Sequence, residues 1–428
     1  MPITRLHIAA IALCSVGFAF DLLEIALGNV LAAYFSTAPR SITATELSML
    51  LASVYVGAAI GAPALGWWAD RNGRRLALSC ALLWICVCSL AAAWTDSVAT
   101  LTLWRSLAGL ALGAFPPMVI AYLTDLLPAR RRGGLILGVV CAASFGPVLG
   151  IFLIRWLTPH VPLGIEAWRW GFIAGGVGAG ISGALFLLLP ESPRWLVQRG
   201  DIGLAERLLD RFERSPAVQT PSNMQTFHKE ALRLKDEPQA TGPHARLTTA
   251  VLFLLSPWST VAFPLLTGAI MAQKGIGLSS TLLYVGLAMF GPSVGALLSA
   301  FVIDKVERRL ALSSCAIAMV LAGGFFITTA HPLGLVLATT MFFMLGFIYI
   351  SALNIYAAEL YPTSVRATTL SGVWALNRLG AAAAPLLLVP LLRSQGVFAV
   401  FAVITATLLA SMAVLYFSPP GLQRKQVS

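Results

Sequence analysis

Residues 66–75 read GWWADRNGRR, and residues 300–309 read AFVIDKVERR. When Asp70 is aligned with Asp304, a basic residue follows each acid directly and an Arg–Arg pair ends each segment. Each segment also lies at the end of a long apolar run. Two such loops in one register predict that the chain contains two copies of one helical unit.

The apolar runs that precede these loops predict membrane-spanning helices. Of the 428 residues, 58% are hydrophobic and only 11% are charged, whereas soluble domains carry about 25% charged residues. A large soluble enzyme would show short apolar runs broken by charged turns, but these runs reach the ~20 residues that a membrane span needs. The first run, residues 8–34, is too long for a signal-peptide core, so we expect it to remain as a helix.

A second pair of matched segments lies further along each copy. Residues 125–133 read DLLPARRRG, and residues 359–367 read ELYPTSVRA. In this register the acid, the proline three residues later and the arginine four residues after the proline coincide. Two matched loops in the same order predict parallel six-helix repeats related by an axis along the membrane normal.

We therefore expect an all-α integral membrane protein with twelve transmembrane helices in two pseudo-symmetric six-helix bundles. The predicted helices are 7–35, 45–69, 75–95, 97–124, 134–158, 167–189, 247–273, 278–303, 309–331, 332–358, 366–392 and 396–417. The bundles occupy residues 1–189 and 247–417. Residues 190–246 form a predicted cytoplasmic linker with a short amphipathic helix at 203–214, and residues 418–428 form a cytoplasmic tail.

The distribution of basic residues predicts the orientation of the helices. The formal net charge is +11, and 22 of the 29 Lys and Arg residues fall on one side if the spans alternate. This bias is typical of cytoplasmic loops, so both termini are predicted to be cytoplasmic. The bias also favours a lipid bilayer over nucleic acid as the partner of this basic chain.

The loop motifs resemble those of a known family. GWWADRNGRR is similar to the G-x-x-x-D-R/K-x-G-R-R signature of the major facilitator superfamily, and RSLAG at 105–109 resembles its helix 4 element. PESPRWL at 190–196 and ELYPTSVRA look like elements shared by sugar porters, organic ion transporters and metabolite–proton symporters. The resemblance implies a monomeric secondary transporter that works by alternating access in a bacterial inner membrane.

Three further segments bear on the subfamily. FDLLE at 20–24 is similar to the D-G-x-D element of aromatic acid–proton symporters, although Leu22 replaces its glycine and Glu24 its second acid. ALNRLGAAAAP at 375–385 looks like the Arg-bearing helix of organic anion carriers. GPVLG at 146–150 partly resembles an antiporter motif, which leaves export open. Helix 7 lacks the paired glutamines expected of a sugar porter, which argues against a hexose.

Charged residues inside predicted spans are candidates for proton coupling, because buried charge in a bilayer is expensive and is usually functional. Asp21 and Glu24 are three residues apart and share one helical face. Glu24 lies ~16 Å and Arg105 ~12 Å below the outer ends of their helices. These depths predict an ion pair that acts as a proton switch, with protons as the coupling ion and no other cofactor. A static ion pair that fixes helix packing is the alternative.

Arg378 lies in the middle of predicted helix 11, near the membrane midplane. Its planar guanidinium matches the geometry of a carboxylate. We expect it to bind an anionic substrate, with Asn377 beside it. The alternative is that it bonds to backbone carbonyls or reaches across to Asp21 or Glu24. Further predicted lining residues, of which the aromatic ones are individually more often packing residues, are Asn354, Tyr356, Trp374, Trp258 and Tyr349.

The loop motifs predict a cytoplasmic gate rather than a substrate site. Acidic and basic residues at the helix ends would form ion pairs in one conformation and release them in the other. The predicted members are Asp70, Arg74, Asp125, Arg132 and Glu191 in the first half, and Asp304, Arg308, Glu359 and Arg366 in the second. The alternative is that these charges only set the orientation of the helices in the membrane. That role depends on the basic residues and would not require the acidic ones.

The sequence contains no nucleotide-binding loop, zinc spacing or catalytic triad, so neither an ATP-driven pump nor an enzyme is expected. All six cysteines lie in apolar runs without metal or redox spacing, so no metal site is expected. The favoured function is proton-coupled uptake of a small organic anion, an aromatic or other carboxylate. The alternatives are proton-coupled export of drugs or metabolites and, less favoured, a sugar porter.

Overall fold

A computed structural model describes residues 4–38, 40–128, 132–201, 203–204, 207, 243–361 and 363–418. Within these ranges the regular structure is entirely helical. The helices are α1 Arg5–Tyr34, α2 Ala44–Asn72, α3 Arg74–Ala93, α4 Val98–Leu126, α5 Arg132–Ala143, α6 Phe145–Leu157, α7 Ala167–Phe186, α8 Pro193–Arg199, α9 Pro243–Thr260, α10 Ala262–Gln273, α11 Leu278–Ala288, α12 Phe290–Val302, α13 Arg308–Thr328, α14 Pro332–Leu360, α15 Thr363–Gln395 and α16 Val397–Tyr416, with 3-10 turns at Pro162–Gly164 and Ile303–Lys305.

The predicted all-α membrane fold is confirmed. The pairs α5–α6, α9–α10 and α11–α12 each correspond to one predicted span that is broken in its middle. In the described part of the chain, eleven helical segments are long and apolar enough to cross a membrane. The remaining predicted span, α7, has 20 residues but is rich in glycine. Its glycines let neighbouring helices approach closely, since a Cβ at Gly183 would lie 3.1 Å from the Ser79 carbonyl oxygen.

The predicted domain boundaries stay predictions. Of the linker at 190–246, the structure describes α8, a few residues after it and the start of α9. The predicted amphipathic helix at 203–214 lies outside the described residues except for positions 203, 204 and 207. The predicted tail lies outside them except for Ser418.

Two of the helix breaks have matching sequences. Residues 144–150 read SFGPVLG at the junction of α5 and α6, and residues 289–295 read MFGPSVG at the junction of α11 and α12. A proline inside a helix lacks the amide hydrogen and clashes with the preceding turn, which favours a kink at this place. The two breaks lie against each other across the two halves, because the ring centroids of Phe145 and Phe290 are 5.9 Å apart.

The two bundles are packed together mainly at one end. A large apolar cluster includes the end of α1, the start of α2 and much of α10, so it contains residues of both halves. At the other end, buried residues of the first half form a separate cluster with no described member from the second half. A Cβ at Gly268 of α10 would lie 2.7 Å from the Asn29 carbonyl oxygen. We call the end that carries the α1–α2 connection the closed end, and the end that carries Arg5 and Asp125 the terminal end.

The orientation can be tested by cysteine labelling in a variant whose six native cysteines are replaced by alanine. Asp96 lies on the closed end in the α3–α4 connection, and Asn72 ends α2 at the terminal end. Because the positive-inside bias places the terminal end in the cytoplasm, we expect Asp96→Cys to react in intact cells with an impermeant maleimide and Asn72→Cys to react only after lysis. The reverse pattern would contradict this orientation.

Candidate functional site

A cavity of about 360 Å³ lies between the two halves. Most of its wall is apolar and includes the helix-break residues Pro147 and Pro292. Its polar lining residues are Asn29, Tyr55, Ser144, Thr260, Asn377 and Arg378. The wall therefore combines a mainly apolar surface with a small set of hydrogen-bonding groups and one guanidinium, which is typical of small-molecule sites.

Three residues of α15 reach the cavity because they lie at positions i, i+3 and i+4 of one helix face. Asn377 is buried, and its Nδ2 donates to Ser256 Oγ at 3.0 Å and to the Phe253 carbonyl oxygen at 3.3 Å. Trp374 packs its ring edge-to-face on Phe253, with centroids 5.8 Å apart. These contacts tie α15 to α9 and fix the helix face that carries Arg378.

Arg378 itself has little direct compensation for its charge. Its guanidinium carbon lies 5.5 Å from the centroid of the Trp374 ring, a distance within the range of a cation–π contact. Among the described residues, no acidic side chain lies within 4.0 Å of its guanidinium. Electrostatically, its nearest partners are Tyr55 and Asp21 of the first half.

Asp21 is fully buried, and neither of its carboxylate oxygens has a hydrogen-bond partner in the described part of the protein. Arg378 is the cation that acts on it most strongly. The acid and the guanidinium therefore belong to opposite halves and do not form an ion pair. This arrangement agrees with the alternative that Arg378 reaches across towards Asp21.

Glu24 has a different environment, inside the first bundle. Arg105 Nη1 lies 3.4 Å from Glu24 Oε2 and donates to the Glu24 carbonyl oxygen at 2.8 Å. Ser89 Oγ donates to Glu24 Oε1 at 2.5 Å, and Gly175 leaves room for the carboxylate, because a Cβ there would lie 2.7 Å from Oε1. Glu24 and Arg105 thus form the expected ion pair, but this pair is not in the cavity wall.

The geometry of α1 explains why the two acids separate. Its cavity-lining residues are Phe18, Leu22, Ile25, Ala26 and Asn29. At about 100° per residue, Asp21 lies at the flank of this face, whereas Glu24 lies on the side that packs into the first bundle. The predicted group of Asp21, Glu24 and Arg105 is therefore divided between two environments.

The other predicted lining residues lie away from the cavity wall. Trp258 is partly buried against the large apolar cluster that contains residues of both halves. Tyr349 and Tyr356 are fully buried, and Asn354 is half-buried on the same helix. Three of the seven predicted substrate-binding residues, Arg378, Asn377 and Trp374, line the cavity, and the roles of all seven stay predictions.

Sequence reasoning missed Tyr55, Asn29 and Ser89. Tyr55 is a single tyrosine in an apolar run, and nothing in the sequence distinguishes it from a packing residue. Asn29 carried a usable signal, because an amide inside a span needs a partner. Ser89 was not predictable, since a serine hydroxyl in a helix is commonly bonded to its own backbone.

At the terminal end of the first half, the predicted gate residues form a connected network. Arg74 pairs with Asp125, and Ser192 Oγ donates to Asp125 Oδ2 at 2.6 Å. Glu191 Oε1 accepts from the backbone N–H groups of Arg74 and Arg75, both at 3.0 Å. A carboxylate at the N-terminus of α3 is favoured by the helix dipole.

The remaining gate residues are less connected. Arg308 Nε lies 3.0 Å from Glu359 Oε1 in the second half, which matches Arg74–Asp125 in the predicted register. Asp70 contributes its backbone carbonyl, which accepts from Trp195 Nε1 at 2.8 Å, and Arg132 Nη2 donates to the Leu127 carbonyl oxygen at 3.5 Å. The side chains of Asp304 and Arg366 lie outside what the structure describes.

Gly73 provides a test of the Glu191 contact. Its φ is +104°, and a Cβ there would lie 2.4 Å from Glu191 Oε2. A side chain in such a conformation costs about 1–3 kcal/mol, so Gly73→Ala should lower the thermal midpoint of the detergent-solubilised protein by several degrees. Gly66→Ala is the matched control, because Gly66 is helical with nothing within 4 Å of its Cβ position. Equal midpoints for the two variants would contradict this role for Gly73.

Comparisons with known proteins identify the family. A family model described as sugar (and other) transporter matches residues 8–426. The gallate transporter of Pseudomonas putida is 30% identical over 89% of this chain and 84% of its own length. The 4-hydroxybenzoate transporter of Acinetobacter baylyi is 26% identical over 79% of this chain and 74% of its own length.

Among solved structures, the xylose transporter of Escherichia coli in a partially occluded inward open conformation superposes with a TM-score of 0.77. It is 18% identical and covers 99% of this chain and 100% of its own, so this likeness concerns the fold. Together with the all-helical membrane fold and the cavity between the halves, these matches show that the chain belongs to the sugar (and other) transporter family of the major facilitator superfamily, and that it is a multi-pass membrane transporter rather than an enzyme.

Proposed function

We propose that the chain takes up a small organic anion, an aromatic or other carboxylate, together with a proton. The observation that carries this proposal is Arg378, a guanidinium in the wall of the cavity with no acid at ion-pair distance among the described residues. A cation near the midplane of a bilayer costs at least ~2.5 kcal/mol on insertion scales. A substrate carboxylate offsets that cost, and the fork of an arginine binds it through two parallel hydrogen bonds.

The remaining wall favours an aromatic body on the carboxylate. Trp374 and Phe343 line the cavity together with aliphatic side chains and prolines. An aromatic ring binds favourably to such a surface, because ring pairs gain about 0.5–1.5 kcal/mol beyond the apolar area that they bury. The names of the gallate and 4-hydroxybenzoate transporters agree with this substrate class.

Asp21 supplies a physical route for coupling to protons. A buried carboxylate without hydrogen bonds is strongly disfavoured in its ionised form unless a cation compensates it. In the empty cavity, Arg378 is that cation. When a substrate carboxylate binds Arg378, the positive charge of Arg378 is shared between that carboxylate and Asp21. The ionised form of Asp21 then loses part of its stabilisation, so Asp21 binds a proton. By linkage, a protonated Asp21 in turn raises the affinity for the anion.

In this arrangement, protonation is less favourable at Glu24 than at Asp21. Ser89 and Arg105 already satisfy its two oxygens inside the first bundle. Removing Arg105 would leave the buried charge of Glu24 uncompensated, which typically costs 3–5 kcal/mol. We therefore assign to Glu24 and Arg105 the role of holding α1 in place, and to Asp21 the coupling proton.

The terminal-end network suits alternating access. Ion pairs of partly exposed groups, such as Arg308–Glu359, are worth roughly 0–1 kcal/mol each. A few such pairs shift the balance between two conformations by only a few kcal/mol, so they stabilise one state without locking it.

Two other functions have less support. Export is suggested by the Gly146–Pro147 break, which lines the cavity, but a helix break does not set the direction of transport. A sugar porter is suggested by the xylose transporter fold. A neutral sugar would not compensate Arg378, and the wall offers only a few hydroxyl and amide groups for its hydroxyls.

Substitution of Arg378 tests the anion. Arg378→Lys keeps the positive charge but loses the planar guanidinium that donates two parallel hydrogen bonds, and Arg378→Ala loses both. We expect the affinity for benzoate or 4-hydroxybenzoate, measured by calorimetry on purified protein, to fall in that order, with a loss of about 2 kcal/mol, roughly 30-fold, or more for alanine. Arg393→Ala is the control, because Arg393 lies in the exposed last turn of the same helix. Unchanged affinity in Arg378→Ala would leave Arg378 with a structural role.

Substitution of Asp21 tests the coupling. In proteoliposomes, we expect Asp21→Asn to abolish accumulation of labelled substrate driven by a proton gradient but to retain counterflow exchange, because the neutral side chain mimics the protonated acid. Glu24→Gln is the comparison, and we expect it to retain proton-driven accumulation. If Glu24→Gln uncouples and Asp21→Asn does not, Glu24 carries the proton. Outward movement of substrate by the unmodified protein in cells would favour export.

A further inference from the structure

Asn29 is a polar residue of the cavity wall, and its side-chain oxygen has no partner in the part of the chain that the structure describes. The residue is only 5% exposed, and its Oδ1 is buried without a hydrogen bond. The other short polar side chains of the wall already form hydrogen bonds within the protein. Ser144 Oγ and Thr260 Oγ1 each donate to a carbonyl oxygen of their own helix at 2.8 Å, and Asn377 is bonded to α9.

The backbone that carries this amide is closely packed. Gly268 of α10 packs directly against the Asn29 carbonyl oxygen, where a larger residue would collide. Asn29 also lies on the face of α1 that lines the cavity, two helical turns or ~12 Å beyond Asp21 towards the closed end. An occupant of the cavity is therefore in a position to pair with this amide.

An unsatisfied buried polar group costs about 1–3 kcal/mol, so the amide favours occupants that can pair with it. We propose that Asn29 determines specificity by hydrogen-bonding a phenolic hydroxyl on the ring of the bound carboxylate. This inference rests on the proposed function, in which Arg378 holds the carboxylate group of the same molecule. A ligand held by Asn29 and Arg378 bridges the two halves, because the first residue belongs to α1 and the second to α15.

A hydroxyl fits this amide better than other ring substituents. The oxygen and nitrogen of an asparagine side chain are interchangeable by rotation, and a hydroxyl both donates and accepts, so it pairs with either orientation. A second carboxylate can only accept from the amide nitrogen, and it would bring a further charge into a mainly apolar cavity. A hydrogen or halogen would leave the amide without a partner.

The test is binding of benzoate, 3-hydroxybenzoate and 4-hydroxybenzoate to the purified full-length protein, measured by calorimetry. We expect the unmodified protein to bind at least one hydroxybenzoate about tenfold or more tightly than benzoate, which is about 1.4 kcal/mol. Asn29→Leu, of similar volume, should remove that preference, mainly by weakening the hydroxybenzoate, and should leave benzoate within about threefold of the unmodified protein. Asn29→Ala serves as a second variant without a branched side chain.

Thr260→Val is the matched control, since it removes a lining hydroxyl that is already bonded within its helix, and it should keep the preference for the hydroxylated acid. If the preference survives in Asn29→Leu and Asn29→Ala while binding still depends on Arg378, the assignment of Asn29 is wrong and the proposed function stands. If the unmodified protein binds none of the three acids, the assignment of Asn29 is wrong, and so is the aromatic carboxylate of the proposed function.

Discussion

Buried charge in a membrane must be compensated inside the protein, and the described spans solve this problem in two ways. Arg105 and Glu24 are compensated within one bundle, by each other and by Ser89. Asp21 and Arg378 form no ion pair with a described residue, and each has the other as an opposite charge across the gap between the bundles. The first arrangement stabilises one half in any conformation, whereas the second depends on how the halves are placed and on what lies between them.

This difference explains why the two acids of α1 receive separate roles here. An acid that retains its partners through a conformational cycle has no reason to exchange a proton. An acid whose only compensating cation is also the binding group for an anion must respond when the anion arrives, because one guanidinium then serves two carboxylates. In the proposed function, the coupling between proton and substrate follows from this competition.

Much of the fold and several of the ion pairs could be predicted from the sequence. Hydropathy placed the spans, and the repeated loop register placed Arg74 with Asp125 and Arg308 with Glu359, because both depend on local patterns. Depth along the helices was enough to pair Glu24 with Arg105. The separation of Asp21 from Glu24 was not predictable, since three residues are about 60° on a helix and only the neighbouring helices decide what each side meets. For the same reason, Tyr349 and Tyr356 of α14 were expected in the cavity wall but lie away from it.

The helix breaks connect the cavity to the movement of the halves. The matching FGP segments interrupt one span in each half, and residues at both breaks, Pro147 and Pro292, line the cavity. Phe145 and Phe290 bring the breaks into contact with each other, while Gly146 and Gly291 pack so closely on α1 and α14 that a Cβ would collide with a carbonyl oxygen of each. Proline leaves a helix with one hydrogen bond fewer at the kink, so these are the places where the two spans bend at least cost. A ligand that fills the cavity would contact both kinks, because Pro147 and Pro292 both line it.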